Sequence, residues 1–494
     1  MLAAFPILVP MATAVLCYLT RHHPVHRVIS LIGAGALLIV GLMLLFEVGA
    51  GGPKAAQMGG WAAPFGITLA VDTLSAAMVV IAGLAMLTVL QYASVEVDPE
   101  TEAQGYHALC HAMATGVCGA FVTGDLFNLY VWFEVMLISS FGLLVIGGQK
   151  AQIDGAMKYT ALNLVGTIAF LTGVGLLYGT AGTLNMADLA VVLHGRMGET
   201  AVLGAAGMLL FAFAAKAALF PVFFWLPASY HTPAVSTSAL FSALLTKVGV
   251  YSLLRVFTLV FEPGTPAISG VLLFGAALTI VFGSLGAAAQ TDMRRIFSYH
   301  IVSQIGVMTL GLAIGTPLAI AGAIFYFFHH IPAMMNMFLL GGIVQEECRS
   351  EALSKIGGLW VAGPWLGVVF LVPTLSLIGV PPLSGFWAKL LIVRSGIEAE
   401  YYVLAALVLL SSVLTFFYFG RLFVEAFWKP RPGVEETAIA PVFPPRAIVA
   451  PVLTLAGVTI AISLFAGNFF AVAERAAGEL LDPLSYLRAV LGGP

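Results

Sequence analysis

A chain of 494 residues that is 60% hydrophobic and only 9% charged lacks the surface charge of a water-soluble domain, in which about a quarter of residues are charged. Its net charge of −3, with no basic patch and no Gly-rich phosphate loop, argues against a nucleic-acid partner and against nucleotide chemistry. Four scattered cysteines, Cys17, Cys110, Cys118 and Cys348, form no CxxC pair and argue against a disulfide framework or a thiolate metal centre.

The remaining class is an all-α integral membrane protein. With about 20 residues as the length of a bilayer-spanning helix, apolar runs predict helices near 2–20, 28–48, 73–94, 106–123, 127–147, 157–180 and 203–227. They continue near 234–258, 267–289, 296–313, 317–343, 364–395, 402–426 and 447–470. That makes about fourteen spans. The first reads as a retained helix rather than a signal peptide, because no basic region precedes it and no small-residue cleavage site follows. The main polar connections, 96–104, 185–199, 345–355 and 429–436, are too short for a soluble domain. A tail over 471–491, with Glu474, Arg475, Glu479, Asp482 and Arg488 among apolar residues, predicts an amphipathic helix lying on the interface or on a partner.

Twelve Lys and Arg residues, from Arg21 and Arg27 through Lys150, Arg294 and Arg295 to Arg446, lie in or beside the connections after odd-numbered spans. The even connections hold only Lys54, Arg196, Arg255 and Arg394. By the positive-inside rule the odd connections are cytoplasmic. With an even number of spans, both termini then face the outer side.

Two spans are interrupted by proline. The seventh holds Pro221 and Pro227; the twelfth holds Pro373, then Pro381 and Pro382 after Gly379. Broken helices at matching places point to a transport site, since unwound backbone is tolerated at membrane depth only where it lines a cavity or is buried in protein. Plain kinking of packed helices is the alternative. Charge placement favours the first reading. Glu134, Lys216, Lys247 and Lys389 sit inside apolar spans, each at a cost of about 2.5–3.5 kcal/mol if unpaired at the bilayer centre. A static glutamate–lysine pair would explain one such cost. It would not explain why Lys216 and Lys389 both fall beside a proline break.

These residue types suit proton handling. Burial makes an ammonium give up its proton more readily, and a nearby carboxylate opposes this, so a movable carboxylate or cation loads and unloads the proton. Glu134 would act in this way on Lys216. His329 and His330 lie mid-span near Tyr326 and Asn336, and His300 lies with Ser303 and Gln304; imidazole relays protons near neutral pH. His107 and His111 read as ordinary hydrogen-bonded residues. Ser236, Thr237, Ser238, Ser242 and Thr246 lead up to Lys247, either as helix-packing hydroxyls or as a wet path. No metal site and no cofactor site is read from the sequence.

At these positions the chain resembles a known family. The run from Phe121 to Leu144, which contains Thr123-Gly-Asp-Leu-Phe-Asn128 and Trp132-Phe-Glu134, is similar to the D-type subunits of the Mrp-type multisubunit cation/proton antiporters. So are the run from Leu226 to Tyr251, which contains Tyr230-His-Thr-Pro-Ala-Val235, and the segments Gly59-Gly-Trp-Ala-Ala-Pro-Phe-Gly-Ile67 and Pro381-Pro-Leu-Ser-Gly-Phe-Trp-Ala-Lys389. The parent family is the antiporter-like subunits shared with respiratory complex I.

The resemblance implies three N-terminal helices (1–105), two inverted five-helix repeats (106–260 and 261–428), each with one broken helix at spans 7 and 12, and a last helix with the amphipathic segment (429–494). It implies a proton pathway of Glu134, Lys216, Lys247, His330 and Lys389, with Asp125, His329, Ser303 and Tyr326 as auxiliary residues. One departure is Met334, where relatives commonly place a lysine after the second histidine. The relay would then depend on His330 and water, which a distortion at Pro332 would help to admit.

The expected function is the proton half-reaction of a heteromeric Na+/H+ antiporter, with K+ as the alternative cation, in the inner (plasma) membrane of a bacterium. Its partners would be other antiporter subunits, lipid, protons and Na+; the chain is read as a transporter and not an enzyme. A rival is a proton-pumping subunit of an NADH dehydrogenase or membrane hydrogenase, which would use the same lysines.

Overall fold

The computed structural model describes residues 2–261, 265–434, 441 and 444–492. Glu436, the predicted end of one polar connection, lies outside the described residues. The chain begins with a packed pair, α1 (Phe5–Leu19) and α2 (Val25–Gly51). A short antiparallel hairpin follows, β1 (Lys54–Gln57) and β2 (Thr68–Val71), with Lys54 opposite Val71. The sequence did not predict it, because four residues are too few to display a period of two among apolar neighbours.

The helix α3 (Thr73–Glu96) opens on a capping box in which Ser75 N donates to Asp72 while the Asp72 N–H donates to the Ser75 hydroxyl. After the short α4 (Pro99–Ala103) come α5 (Tyr106–Val122), α6 (Leu126–Val145), α7 (Lys150–Ala181) and a surface turn, α8 (Met186–Val192). The predicted seventh span is two pieces, α9 (Thr200–Ala217) and α10 (Trp225–Ser229). Then follow α11 (Val235–Leu259), α12 (Pro266–Ala289), α13 (Met293–Ile314), α14 (Pro317–Cys348) and a single turn, α15 (Leu359–Ala362). The predicted twelfth span is likewise split into α16 (Pro364–Ile378) and α17 (Ser384–Glu398). The chain closes with α18 (Tyr402–Phe423), α19 (Arg446–Leu464), α20 (Ala466–Leu481) and α21 (Leu484–Leu491).

Twelve helices among the described residues are long and apolar enough to cross a membrane. The other two predicted spans are α5, 17 residues long, and the pair α16 and α17, 15 residues each. Every residue of α11 is buried, and α13 and α14 are nearly so, whereas only a third of the apolar window of α12 or α18 is covered. The bundle therefore has a protein-sheathed centre made of α11, α13 and α14. Each of these three carries polar residues that a lipid-facing helix could not hold.

The last predicted span, 447–470, is shorter than expected: α19 stops at Leu464 and the chain turns at Phe465. The tail is two helices, and they dock on the chain itself. Thr73 donates from its N–H and hydroxyl to Glu479, both at 2.8 Å, and Arg475 donates to the carbonyls of Val48 and Gly49. The helix α20 packs along α14 and α3, and α21 packs on α8 and the hairpin. Ala473, Ala476, Ala477 and Leu480 of α20 and Tyr486 and Val490 of α21 are thus buried against the chain itself, while Leu484 and Leu491 stay exposed.

Candidate functional site

Both predicted interruptions are true breaks, and both close in the same way. The helix α9 ends in a left-handed residue, Ala218 (φ 64), with Leu219 N–H donating back to Ala214 O. The helix α16 ends in a left-handed Gly379 (φ 94), with Val380 N–H donating back to Leu375 O. These are Schellman closures. Each break falls in the fourth of five long helices, counted from α5 and from α12. At the first break the Trp225 indole donates to Ala215 O and Phe220 N–H donates to Thr279 Oγ1, so groups freed by the break are recaptured.

The first break carries Lys216 in the last turn of α9, where a helix C-terminus favours a cation. Its ammonium makes no hydrogen bond among the described residues and lies 5.9 Å from the Phe133 ring centroid and 5.7 Å from that of Tyr159. Glu134, half-buried on α6, shares a small cavity with it, about 10 Å³ and lined also by Phe133, Asn163, Thr167 and Phe170. That is close to the least room one water needs. Glu134 accepts a 2.6 Å hydrogen bond from Thr167, and no direct contact of 4 Å or less joins it to Lys216. The predicted modulator is therefore in electrostatic reach of Lys216 without forming a static ion pair.

Lys247 lies at the centre of the all-buried α11, and its ammonium donates to the carbonyl of Ser242 at 2.5 Å. Gly249 brings α11 into backbone contact with α9: a Cβ there would stand 2.5 Å from Ala217 N. The lysine-bearing turns of the two helices therefore adjoin. Lys389, on α17, is gripped differently. It donates to the carbonyls of Leu377 and Ile378 at 3.0 and 2.8 Å, the free end of α16 at the second break. The dipole of that half-helix ends on the ammonium.

Histidines occupy the space between. His330 on α14 stacks on His300 of α13 with ring centroids 5.8 Å apart and is in electrostatic reach of Lys247 and Lys389. His300 meets the Tyr418 hydroxyl at 2.6 Å. His329 Nδ1 lies 2.9 Å from the Ser384 hydroxyl, which in turn lies 2.9 Å from Ser376. Tyr326 donates to Gln304, and the Gln304 amide donates to Ser303, itself 2.7 Å from Ser284. Seven buried polar atoms here have no hydrogen-bond partner among the described residues: Thr246 Oγ1, His300 Nε2, His329 Nε2, both ring nitrogens of His330, and both amide atoms of Asn336. Pro332 lies inside α14 without ending it, and Met334 is fully buried.

The structure thus brings together Glu134 with Lys216, and Lys247, His330, His329, Tyr326, Ser303 and Lys389. It does not bring Asp125 to them. Asp125 caps α6, accepting from Asn128 N–H at 2.8 Å. The hydroxyls of α11 serve mostly as local packing groups, with Ser236 and Thr237 bonded to Tyr106 and Ser238 to Tyr230 O; only Thr246 is left over. Sequence reasoning missed Thr167, Ser376, Ser384 and Tyr418, single hydroxyls in apolar helices that no periodicity distinguishes. Ser384 alone had a signal, since it sits in the Pro381-to-Lys389 segment.

Residues 123–415 match the family described as NADH:quinone oxidoreductase/Mrp antiporter, membrane-spanning part. The chain belongs to that family. It is 40% identical over 492 residues to the D-type Na(+)/H(+) antiporter subunit of Alkalihalophilus pseudofirmus, covering 99% of each protein. Its fold is similar to a chain of the Mrp complex from Dietzia sp., with a TM-score of 0.92, 29% identity and 99% of both chains covered. A chain of an archaeal membrane-bound sulfane sulfur reductase is also similar, at a TM-score of 0.91, 26% identity and the same coverage.

Proposed function

We propose that this chain is a D-type subunit of a multisubunit cation/proton antiporter and carries the proton half-reaction. It would sit in a bacterial plasma membrane beside other antiporter subunits, with the odd connections cytoplasmic and both termini outside. Residues 106–260 and 261–428 act as two inverted repeats whose breaks place Lys216 and Lys389, with 1–105 and 429–494 packed around them. Protons pass between Lys216 and Lys247 under the control of Glu134, then through His330 to Lys389. The cation exchanged is Na+, with K+ the alternative.

The observation that carries this reading is the set of seven unpartnered polar atoms on α11, α13 and α14, which includes the histidines in electrostatic reach of Lys247 and Lys389. An unsatisfied buried polar group costs about 1–3 kcal/mol, so seven would consume a typical stability of about 5–15 kcal/mol. Water bridging these atoms removes the cost and provides a proton wire. Met334 then needs no ionisable replacement, because His330 spans the gap. The redox-pump alternative shares this geometry; the higher identity to an antiporter subunit, 40% against 26% for the reductase chain, favours exchange.

The test is sodium-dependent proton efflux from everted vesicles containing the whole complex, comparing wild type with Lys216→Ala. Loss of exchange in a fully assembled complex is expected. Unchanged exchange would place the working pathway in another subunit and leave this chain a scaffold.

A further inference from the structure

Five of the ten histidines, at positions 22, 23, 26, 107 and 111, collect in one corner of the bundle. There the first turn of α2 meets α4 and the first turn of α5. His26 Nε2 lies 3.3 Å from Glu102 Oε2, and His107 Nε2 lies 3.2 Å from Glu102 Oε1. All three side chains are buried, and one ligand atom from each lies within 4.8 Å of the others.

The hydrogen bonds around His26 decide what this cluster lacks. His26 Nδ1 is 2.7 Å from the backbone carbonyl of His23, and a carbonyl only accepts, so the proton of a neutral ring sits on Nδ1. The Nε2 lone pair then points at a carboxylate oxygen. That contact, 3.3 Å long, is satisfied either by a second ring proton or by a cation held between the two atoms. Arg27, from a more exposed position, donates to the same Oε2 at 2.7–2.8 Å and to Oε1 at 2.9 Å.

The two nitrogen–oxygen separations run to different oxygens of the Glu102 carboxylate, and each is about the length of a ligand–ligand edge for bonds of about 2.0–2.2 Å. The far nitrogen of each imidazole is also held, His26 by His23 O and His107 by the Ser30 hydroxyl at 2.9 Å. Such outer contacts fix the ring orientation of metal-ligating histidines. We propose that His26, Glu102 and His107 form a binding site for a divalent ion of the zinc class, with Arg27 supporting the carboxylate from outside and a fourth position left for an exchangeable ligand. Bound there, the ion ties the α1–α2 turn to the α4–α5 turn.

The complete antiporter complex, purified and stripped of metal, is titrated with Co2+ alone and read by the visible bands of tetrahedral cobalt, then challenged with Zn2+. Wild type is expected to gain one Co2+ site that Zn2+ displaces, with affinity at least about tenfold weaker in His26→Gln and in His107→Gln. No such site in wild type, or equal uptake in wild type and both variants, overturns the proposal and leaves a second proton on His26 as the bridging charge. If the variants fail to assemble, zinc X-ray absorption of the loaded wild-type complex decides. Imidazole scattering in the first shell supports the site, and a shell without imidazole overturns it.

Discussion

The two broken helices close with the same backbone motif yet hold their lysines by different means. At the first break Lys216 has no hydrogen bond among the described residues, lies near two aromatic rings and shares a small cavity with Glu134. At the second, Lys389 is fastened to two carbonyls at the end of a half-helix. Charge balance at the first site comes from a side-chain carboxylate; at the second it comes from a backbone dipole. In the proposed relay the first lysine's proton affinity would follow a side chain and the second's would follow backbone position.

The contrast can be broken most severely at Gly385. A Cβ there would stand 1.8 Å from Ser376 O and 2.8 Å from the His329 ring, so Gly385→Ala must push α16 and α17 apart. Exchange should vanish, with reduced amounts of the subunit in membranes, as immunoblots and vesicle assays would show. Next comes the stability of the two lysine sites. Lys389→Met strips the partner from two buried carbonyls, at about 1–3 kcal/mol per group left unsatisfied, while Lys216→Met strips none. Thermal unfolding of the purified complex should shift downward for the first variant only, although both abolish exchange. Equal shifts would show that the two lysines are held alike.

A smaller effect is expected at Thr167, whose hydroxyl acts through Glu134. Thr167→Val should slow exchange severalfold in wild type and change nothing in a Glu134→Gln background, a coupling that a double-mutant cycle measures. Additive losses would separate Thr167 from the carboxylate. The smallest effect belongs to the exposed Arg394–Glu398 pair on α17, 2.7 Å apart. Surface pairs of this kind contribute about 0–1 kcal/mol, so Arg394→Gln should leave exchange and assembly at wild-type levels.

The membrane class, most helices, both breaks and the buried lysines were legible in the sequence because each is a local property. An apolar run must be long enough to span, a proline lacks an N–H, and a charge in an apolar run is conspicuous. The family resemblance then assigned roles to those charges. Tertiary structure decided the rest. It separated Glu134 from a direct pair with Lys216, turned Asp125 into a helix cap, and folded the tail onto α3 and α14. It also revealed which carbonyls hold Lys389 and which histidine atoms lack partners. Such facts depend on what lies across a helix interface, and packing neighbours in a bundle come from distant parts of the chain, where neither periodicity nor composition carries a trace of the contact.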